Sequence, residues 1–112
     1  AEFKYPDAWA DINFWGNELT LHATDPNHKI ISERHNVDMG NVTVPHFGVH
    51  LDAITFKNLK QRLIDKNIKF IDPPYIRFKG EDIEQETMFL ADPNGNCMEI
   101  KTMKNPNTLF KK

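Results

Sequence analysis

The stretch from Phe89 to Lys101 consists of two short apolar runs separated by a Pro-Asn-Gly-Asn cluster. Asn and Gly accept the positive φ angles that a tight turn between twisted strands requires, so the stretch predicts a β-hairpin. Successive side chains of a strand point to opposite faces. In the second strand, Glu99 is therefore expected on one face of the sheet, and Met98 and Ile100 on the other.

The pattern from residue 44 to residue 103 predicts one helix and four strands. Apolar residues spaced by three and four predict a helix over 53–66, with Asp52 as its N-cap and Asn67 at the C′ position. Alternation predicts a strand at 44–51 and further strands at 68–71 with 75–78, at 86–90 and at 97–101. The prolines between 71 and 75 favour a bend or an edge strand. The predicted order is β-α-β-β-β, an α+β fold.

The N-terminal part of the chain predicts less structure. Residues 1–7 are expected to be irregular, and residues 8–23 predict a hairpin that turns at Gly16-Asn17 and carries His22 near its end. The polar residues 24–43 predict a connecting linker, in which His28 and His35 are expected to be solvated rather than to bind a ligand. The Pro/Asn/Lys-rich tail, 104–112, is expected to be mobile.

Composition narrows the class of protein. The chain has 112 residues, of which 39% are hydrophobic and 27% charged, as in a single globular domain. The net charge of −2 and the lack of a Lys/Arg cluster argue against a nucleic-acid partner. No apolar run approaches about 20 residues, which argues against a membrane helix. One cysteine fits a reducing compartment, so we expect a cytoplasmic location.

Two motifs resemble those of a known group of proteins. Residues 92–99 read Asp-Pro-x-Gly-x-x-x-Glu, and residues 46–49 read His-Phe-Gly-Val before a helix. With the β-α-β-β-β order, they resemble the vicinal oxygen chelate superfamily of glyoxalases, extradiol dioxygenases and bleomycin-resistance proteins. The resemblance implies a cupped mixed sheet built from such modules. Residues 44–103 would form one complete module, and residues 8–23 the last two strands of a first module.

The resemblance also implies a metal site. His46, Glu99 and His22 would be the ligands of a divalent ion such as Zn, Mn, Fe, Co or Ni, with Glu99 also catalytic. An open coordination position would let two adjacent substrate oxygens bind, and the ion would stabilise an oxyanion or enolate as a Lewis acid. Alternatively, His46 is an ordinary strand histidine and Glu99 is paired with Lys101 or Arg77.

Three further residues are candidates for the substrate pocket: Arg77, His50 and Tyr75. His50 shares the face of His46 but lies about 13 Å away along the strand, at about 3.3 Å per residue. One metal ion would hardly bind both, which favours His50 as a pocket wall. Arg77 has an equally good alternative in a surface ion pair with a nearby glutamate.

These features favour a metal-dependent enzyme, of lyase, isomerase or dioxygenase type, that acts on a small molecule with vicinal oxygens. The alternative is a metal-free protein that binds a small molecule such as an antibiotic. Phe89 stands where extradiol dioxygenases have a tyrosine, which argues against ring cleavage. The substrate itself is not indicated.

The hairpin at 8–23 raises a further expectation. Its apolar face needs a cover, since an isolated hairpin is marginal in water. We expect either about 30 further residues, the size of a β-α-β unit, before Ala1, or a second chain in a homodimer. The intact mass of the protein distinguishes these two.

Overall fold

The computed structural model of the chain describes residues 2–5, 9–23, 27, 33–37 and 40–110. Within these ranges it contains nine strands, one α-helix and one short 3-10 helix. The helix α1 spans Ala53–Asp65, and the 3-10 helix spans Pro106–Thr108 within the predicted tail. The strands are β1 (Glu2–Tyr5), β2 (Trp9–Phe14), β3 (Asn17–His22), β4 (Glu33–Val37), β5 (Gly40–Val44), β6 (Phe47–His50), β7 (Asp72–Arg77), β8 (Gln85–Ala91) and β9 (Cys97–Met103).

A four-stranded mixed sheet covered by α1 forms the centre of the fold. Its strand order is β6-β9-β8-β7, with β6 parallel to β9 and the other pairs antiparallel. The predicted β-α-β-β-β order and the α+β class are therefore confirmed. Since α1 lies on one face only, the strands have one face in the apolar core and a second, concave face that can hold polar side chains.

The ends of α1 were predicted from local sequence and are confirmed to within one residue. The carboxylate of Asp52 accepts hydrogen bonds from the backbone N–H and the hydroxyl of Thr55, both at 2.8 Å, and these bonds lower the pKa of Asp52. Asn67 follows the helix with φ 55°, a left-handed conformation that asparagine tolerates better than most residues. The helix thus begins where the Asp52 side chain accepts a backbone N–H of the first turn, and it ends where Asn67 adopts a non-helical backbone conformation.

The core under α1 confirms which face of the sheet is apolar. Phe56 of α1 is 1% exposed and packs with Met88 of β8 and Ile100 of β9. Ile100 thus lies on the helix side, and Glu99 belongs to the opposite, concave face, as the alternation predicted. The hairpin β8–β9 closes through Asp92, whose carboxylate accepts the backbone N–H groups of Asn94 and Asn96 at 2.9 Å each.

Two of the N-terminal predictions were wrong. Residues 2–5 were expected to be irregular, but they form β1, which pairs antiparallel with β2. The turn between β2 and β3 is at Trp15-Gly16, one residue earlier than predicted, and both residues have positive φ, 49° and 87°. A tryptophan in that conformation is uncommon, which is why the sequence pattern pointed to the following Gly-Asn pair.

The predicted linker was wrong in part, because β4 and β5 form an antiparallel hairpin within it. Val42 of this hairpin packs on the concave face of the main sheet against Phe89 and Cys97. The guanidinium of Arg34 donates to both carboxylate oxygens of Asp72, at 2.9 and 3.1 Å. The hairpin therefore covers one end of the concave face. His28 lies outside the described residues.

The prolines of the module's second strand have the predicted effect. The strand β7 begins at Asp72 rather than at residue 68, and its pairing with β8 is irregular between Asp72 and Tyr75. It is an edge strand, as predicted, which is where a residue without a backbone N–H is tolerated. Among the described residues, the single α-helix is too short to cross a membrane.

Candidate functional site

His46 and Glu99 meet on the concave face of the main sheet. His46 comes directly before β6, and Glu99 is in the middle of the neighbouring strand β9. The Nε2 atom of His46 is 3.5 Å from Oε1 of Glu99, and the two side chains are 26% and 16% exposed. The structure thus brings these two of the three predicted ligands together.

The orientation of the His46 ring fixes which nitrogen carries hydrogen. Its Nδ1 lies 2.7 Å from the backbone carbonyl oxygen of Thr43. A carbonyl oxygen only accepts, so Nδ1 must be the N–H donor. In the neutral ring, Nε2 then presents its lone pair towards Glu99. The ring also packs edge-on against Phe89, with centroids 5.1 Å apart.

The Glu99 carboxylate is held by a buried hydroxyl. Thr87 of β8 is fully buried, and its Oγ1 donates to Oε2 of Glu99 at 2.7 Å. This charge-assisted bond occupies one carboxylate oxygen. The other oxygen, Oε1, faces the lone pair of His46, and two acceptors at that distance repel unless a proton or another cation lies between them. The pair is thus built to hold a positive species.

The donor set fits part of a metal site. Two ligands about 2.1 Å from one ion at a tetrahedral angle stand about 3.4 Å apart, close to the 3.5 Å between His46 Nε2 and Glu99 Oε1. Metal ligands are usually supported by a second hydrogen bond; here the Nδ1 atom of His46 donates to the Thr43 carbonyl, and Oε2 of Glu99 accepts from Thr87. Within the described ranges, however, no three His, Cys, Asp or Glu side chains form a group that could hold an ion.

A cleft of about 310 Å³ adjoins this pair. It is lined by His46, Phe47, Gly48, Val49, His50, Glu99 and Lys101. Gly48 is required there, because a Cβ at this position would overlap the backbone carbonyl of Glu99. The glycine therefore lets β6 and β9 approach closely beside the cleft.

The structure places the third predicted ligand elsewhere. His22 is at the end of β3, where its ring is 6.2 Å from that of Trp9, and it borders a separate cavity. That cavity, of about 960 Å³, is on the helix side of the main sheet, where Met98 and Ile100 contribute to its wall. The described residues thus bring together His46 and Glu99 but not His22.

The three predicted pocket residues also separate. His50 lines the cleft, as expected of a pocket wall. Tyr75 packs instead in the cluster under the β4–β5 hairpin, where burial raises its pKa. The guanidinium of Arg77 lies 4.9 Å from the ring of Phe78 on the far edge of the sheet. Neither Tyr75 nor Arg77 is among the described residues that line the cleft.

Sequence reasoning missed three contributors to this site: Thr43, Thr87 and Lys101. Alternation in β8 places Thr87 on the same face as Phe89, so its proximity to Glu99 was accessible from the pattern. The carbonyl of Thr43 carries no sequence signal, since any residue supplies one. Lys101 was considered only as a partner of Glu99, and no such ion pair is present among the described residues.

Neither the family models nor the curated proteins contain a match to this sequence. Among solved structures, a glyoxalase/bleomycin resistance protein/dioxygenase from Alicyclobacillus acidocaldarius is similar, with 28% identity and a TM-score of 0.73 over 96% of this chain and 75% of that one. A second structure, described as a conserved domain protein, shares the fold at 19% identity, with a TM-score of 0.53 over 89% of this chain and 74% of its own. With the β6-β9-β8-β7 sheet covered by one helix, this similarity shows that the chain belongs to the vicinal oxygen chelate fold superfamily.

Proposed function

We propose that this chain is a divalent-metal-dependent enzyme that acts on a small molecule with two adjacent oxygens, and that His46 and Glu99 are two of its metal ligands. The observation that carries the proposal is the 3.5 Å approach of the His46 Nε2 atom to a carboxylate oxygen of Glu99. The name of the similar Alicyclobacillus acidocaldarius protein, a glyoxalase/bleomycin resistance protein/dioxygenase, is consistent with such an activity.

The roles of the protein groups follow from their contacts. Thr43 holds the His46 ring with Nε2 directed towards Glu99, and Thr87 holds the Glu99 carboxylate. The side chains of His46 and Glu99 are only 26% and 16% exposed, and this partial burial strengthens their interaction with a bound ion or substrate. A bound divalent ion would supply Lewis-acid stabilisation to the substrate oxygens.

A catalytic metal site usually has three protein ligands, so the proposal requires at least one ligand beyond His46 and Glu99. That ligand belongs either to a residue outside the described ranges or to a second copy of the chain. His35 does not supply it in the described structure, since it is half exposed on β4 and lies 3.6 Å from Glu33.

The test is metal binding by the purified, chelator-treated protein. We expect one equivalent of Zn²⁺, Mn²⁺, Co²⁺ or Ni²⁺ per chain by calorimetry and elemental analysis. His46→Ala and Glu99→Gln should each weaken binding by about a hundredfold, or about 2.8 kcal/mol. The exposed His35–Glu33 pair provides a matched control, and His35→Ala and Glu33→Gln should leave binding unchanged.

A second candidate function is the metal-free binding of an apolar small molecule. It is favoured by the cavity of about 960 Å³ on the helix side, which is lined mainly by apolar side chains and has the size of a typical ligand pocket. In that case the contact between His46 and Glu99 would only stabilise the fold. If the unmodified protein binds one metal ion and both His46→Ala and Glu99→Gln lose this binding while the controls keep it, the His46–Glu99 pair is a metal site and metal-free binding does not explain it.

A further inference from the structure

Beside the His46–Glu99 pair, Lys101 lines the cleft. Lys101 follows Glu99 by two residues on β9, so it lies on the same concave face, about 7 Å further along the strand. In the described part of the chain, no carboxylate lies within ion-pairing distance of it. A lysine that lines a cleft without an acidic partner is a positive charge available to a ligand.

His50 lies beside Lys101 in the lining of the cleft. The two residues are direct partners in the parallel β6–β9 ladder, and both line the cleft. The Nε2 atom of His50 is buried without a hydrogen-bond partner, which is unfavourable for a polar atom. Burial, and then the charge of Lys101, lower the pKa of His50. The ring is therefore neutral near pH 7 and can donate one N–H.

Between these groups and the His46–Glu99 pair the cleft is lined by Gly48, whose lack of a side chain lets β6 lie close to the Glu99 backbone. From this arrangement we infer that Lys101 and His50 form a subsite for an oxyanion, a carboxylate or phosphate group, of the substrate. The inference rests on the proposed function in so far as the substrate's other end approaches His46 and Glu99. Because Glu99 and Lys101 are about 7 Å apart along β9, the substrate is then a small acid whose charged group and reacting oxygens bind at neighbouring positions of this strand.

The chemistry of the two residues suits this role. An ammonium group is a good point-charge partner for phosphate and carboxylate oxygens, and a neutral imidazole N–H adds a directed hydrogen bond. A cleft with partly enclosed walls focuses the field of a single charge. The acidic ligand would also offset the repulsion between Lys101 and a protonated or metal-bound neighbour.

The experiment is an NMR titration of the chelator-treated protein, in which the ring protons of the five histidines are followed. The variant His50→Gln identifies the His50 signal by its loss. Inorganic phosphate and malonate are added in separate titrations at constant ionic strength, because salt screens exposed charges. We expect a saturable shift of the His50 signal in the unmodified protein.

The charge on residue 101 is then varied. Lys101→Gln should weaken the oxyanion effect on His50 by about tenfold or more, whereas Lys101→Arg should retain most of it. Lys57→Gln, on the exposed side of α1, is the matched control and should behave as the unmodified protein. A response to phosphate alone would identify the group as phosphate, and a response to malonate would include carboxylates.

An absent or non-saturable shift, or equal affinities of the unmodified protein and Lys101→Gln, would overturn the subsite. The metal titration is independent of this readout. If the unmodified protein binds no metal but its His50 signal still shifts with added anion in a way that depends on Lys101, the proposed function is rejected and the subsite is retained. If the protein binds metal but its His50 signal does not respond to either anion, the subsite is rejected and the proposed function is retained.

Discussion

The hydrogen bond from Thr87 to Glu99 allows the support of the candidate site to be tested quantitatively. Thr87 is fully buried, and its hydroxyl is 2.7 Å from the carboxylate. Valine has nearly the same shape, so Thr87→Val removes the hydroxyl while it retains the packing. A hydrogen bond to a charged group contributes about 1.5–3 kcal/mol, and loss of a donor to a partly buried carboxylate is expected to cost a similar amount.

This free energy corresponds to a measurable change in melting temperature. At about 2.1 cal/mol/K per residue, 112 residues have an unfolding entropy of about 0.24 kcal/mol/K. A loss of about 1.5–3 kcal/mol then lowers Tm by about 6–13 °C. Circular dichroism during thermal and urea unfolding measures this directly. Under the proposed function, metal affinity should also fall by about 10–100-fold, as is typical when the support of a ligand is removed.

Two other variants serve as controls. Thr87→Ser keeps the hydroxyl and loses one methyl group, so its cost should stay near about 1 kcal/mol and metal affinity should be retained. Thr20 donates to Asp11 at 2.8 Å in a less buried cross-strand bond, and Thr20→Val should change stability by no more than about 0.5 kcal/mol. If Thr87→Val is as stable as the unmodified protein, Thr87 does not hold Glu99 and the reasoning fails.

Three further changes test the fold around the site. Phe56→Ala should lower the free energy of unfolding by about 3–5 kcal/mol because it empties the core under α1, whereas Ile54→Ala, 74% exposed on the same helix, should have little effect in the same urea titration. Gly48→Ala should push β6 away from β9 and thus lower both Tm and metal affinity; unchanged values would contradict the close approach. The lowered pKa of His50 means that the unfolded chain binds the proton more tightly, so stability should fall as pH drops below about 6.5. His50→Gln should show a shallower fall in urea midpoint, and identical pH profiles would refute this.

The sequence pattern predicted the central module well because one face of its sheet is buried. When α1 covers only the helix side, a strand residue is either in the core or on the concave face, so the two-residue period of β9 determines the place of Glu99 relative to Ile100. The ends of α1 were predictable for a similar reason, since Asp52 and Asn67 act on backbone groups within their own turn. In this part of the chain, the turn and cap residues and the pattern of buried positions therefore predict the same elements.

The β4–β5 hairpin was missed because it is stabilised by contacts that are distant in sequence. Arg34 and Asp72 are 38 residues apart, and their two-pronged ion pair leaves no local pattern. Val42 is the hairpin's buried apolar contact with Phe89 and Cys97 among the described side chains. With so few apolar positions, the stretch resembles a loop even though its backbone pairs regularly.

The same hairpin explains why the candidate site is at the middle of the concave face. Its apolar side covers the end of the face around Cys97, where burial raises the pKa of the thiol. Its last residues supply the Thr43 carbonyl that orients His46. Glu99 therefore has an apolar, covered region on one side and the open cleft of Lys101 on the other. A carboxylate at such a boundary is poorly solvated yet accessible, and this combination favours the binding of a cation over simple hydration.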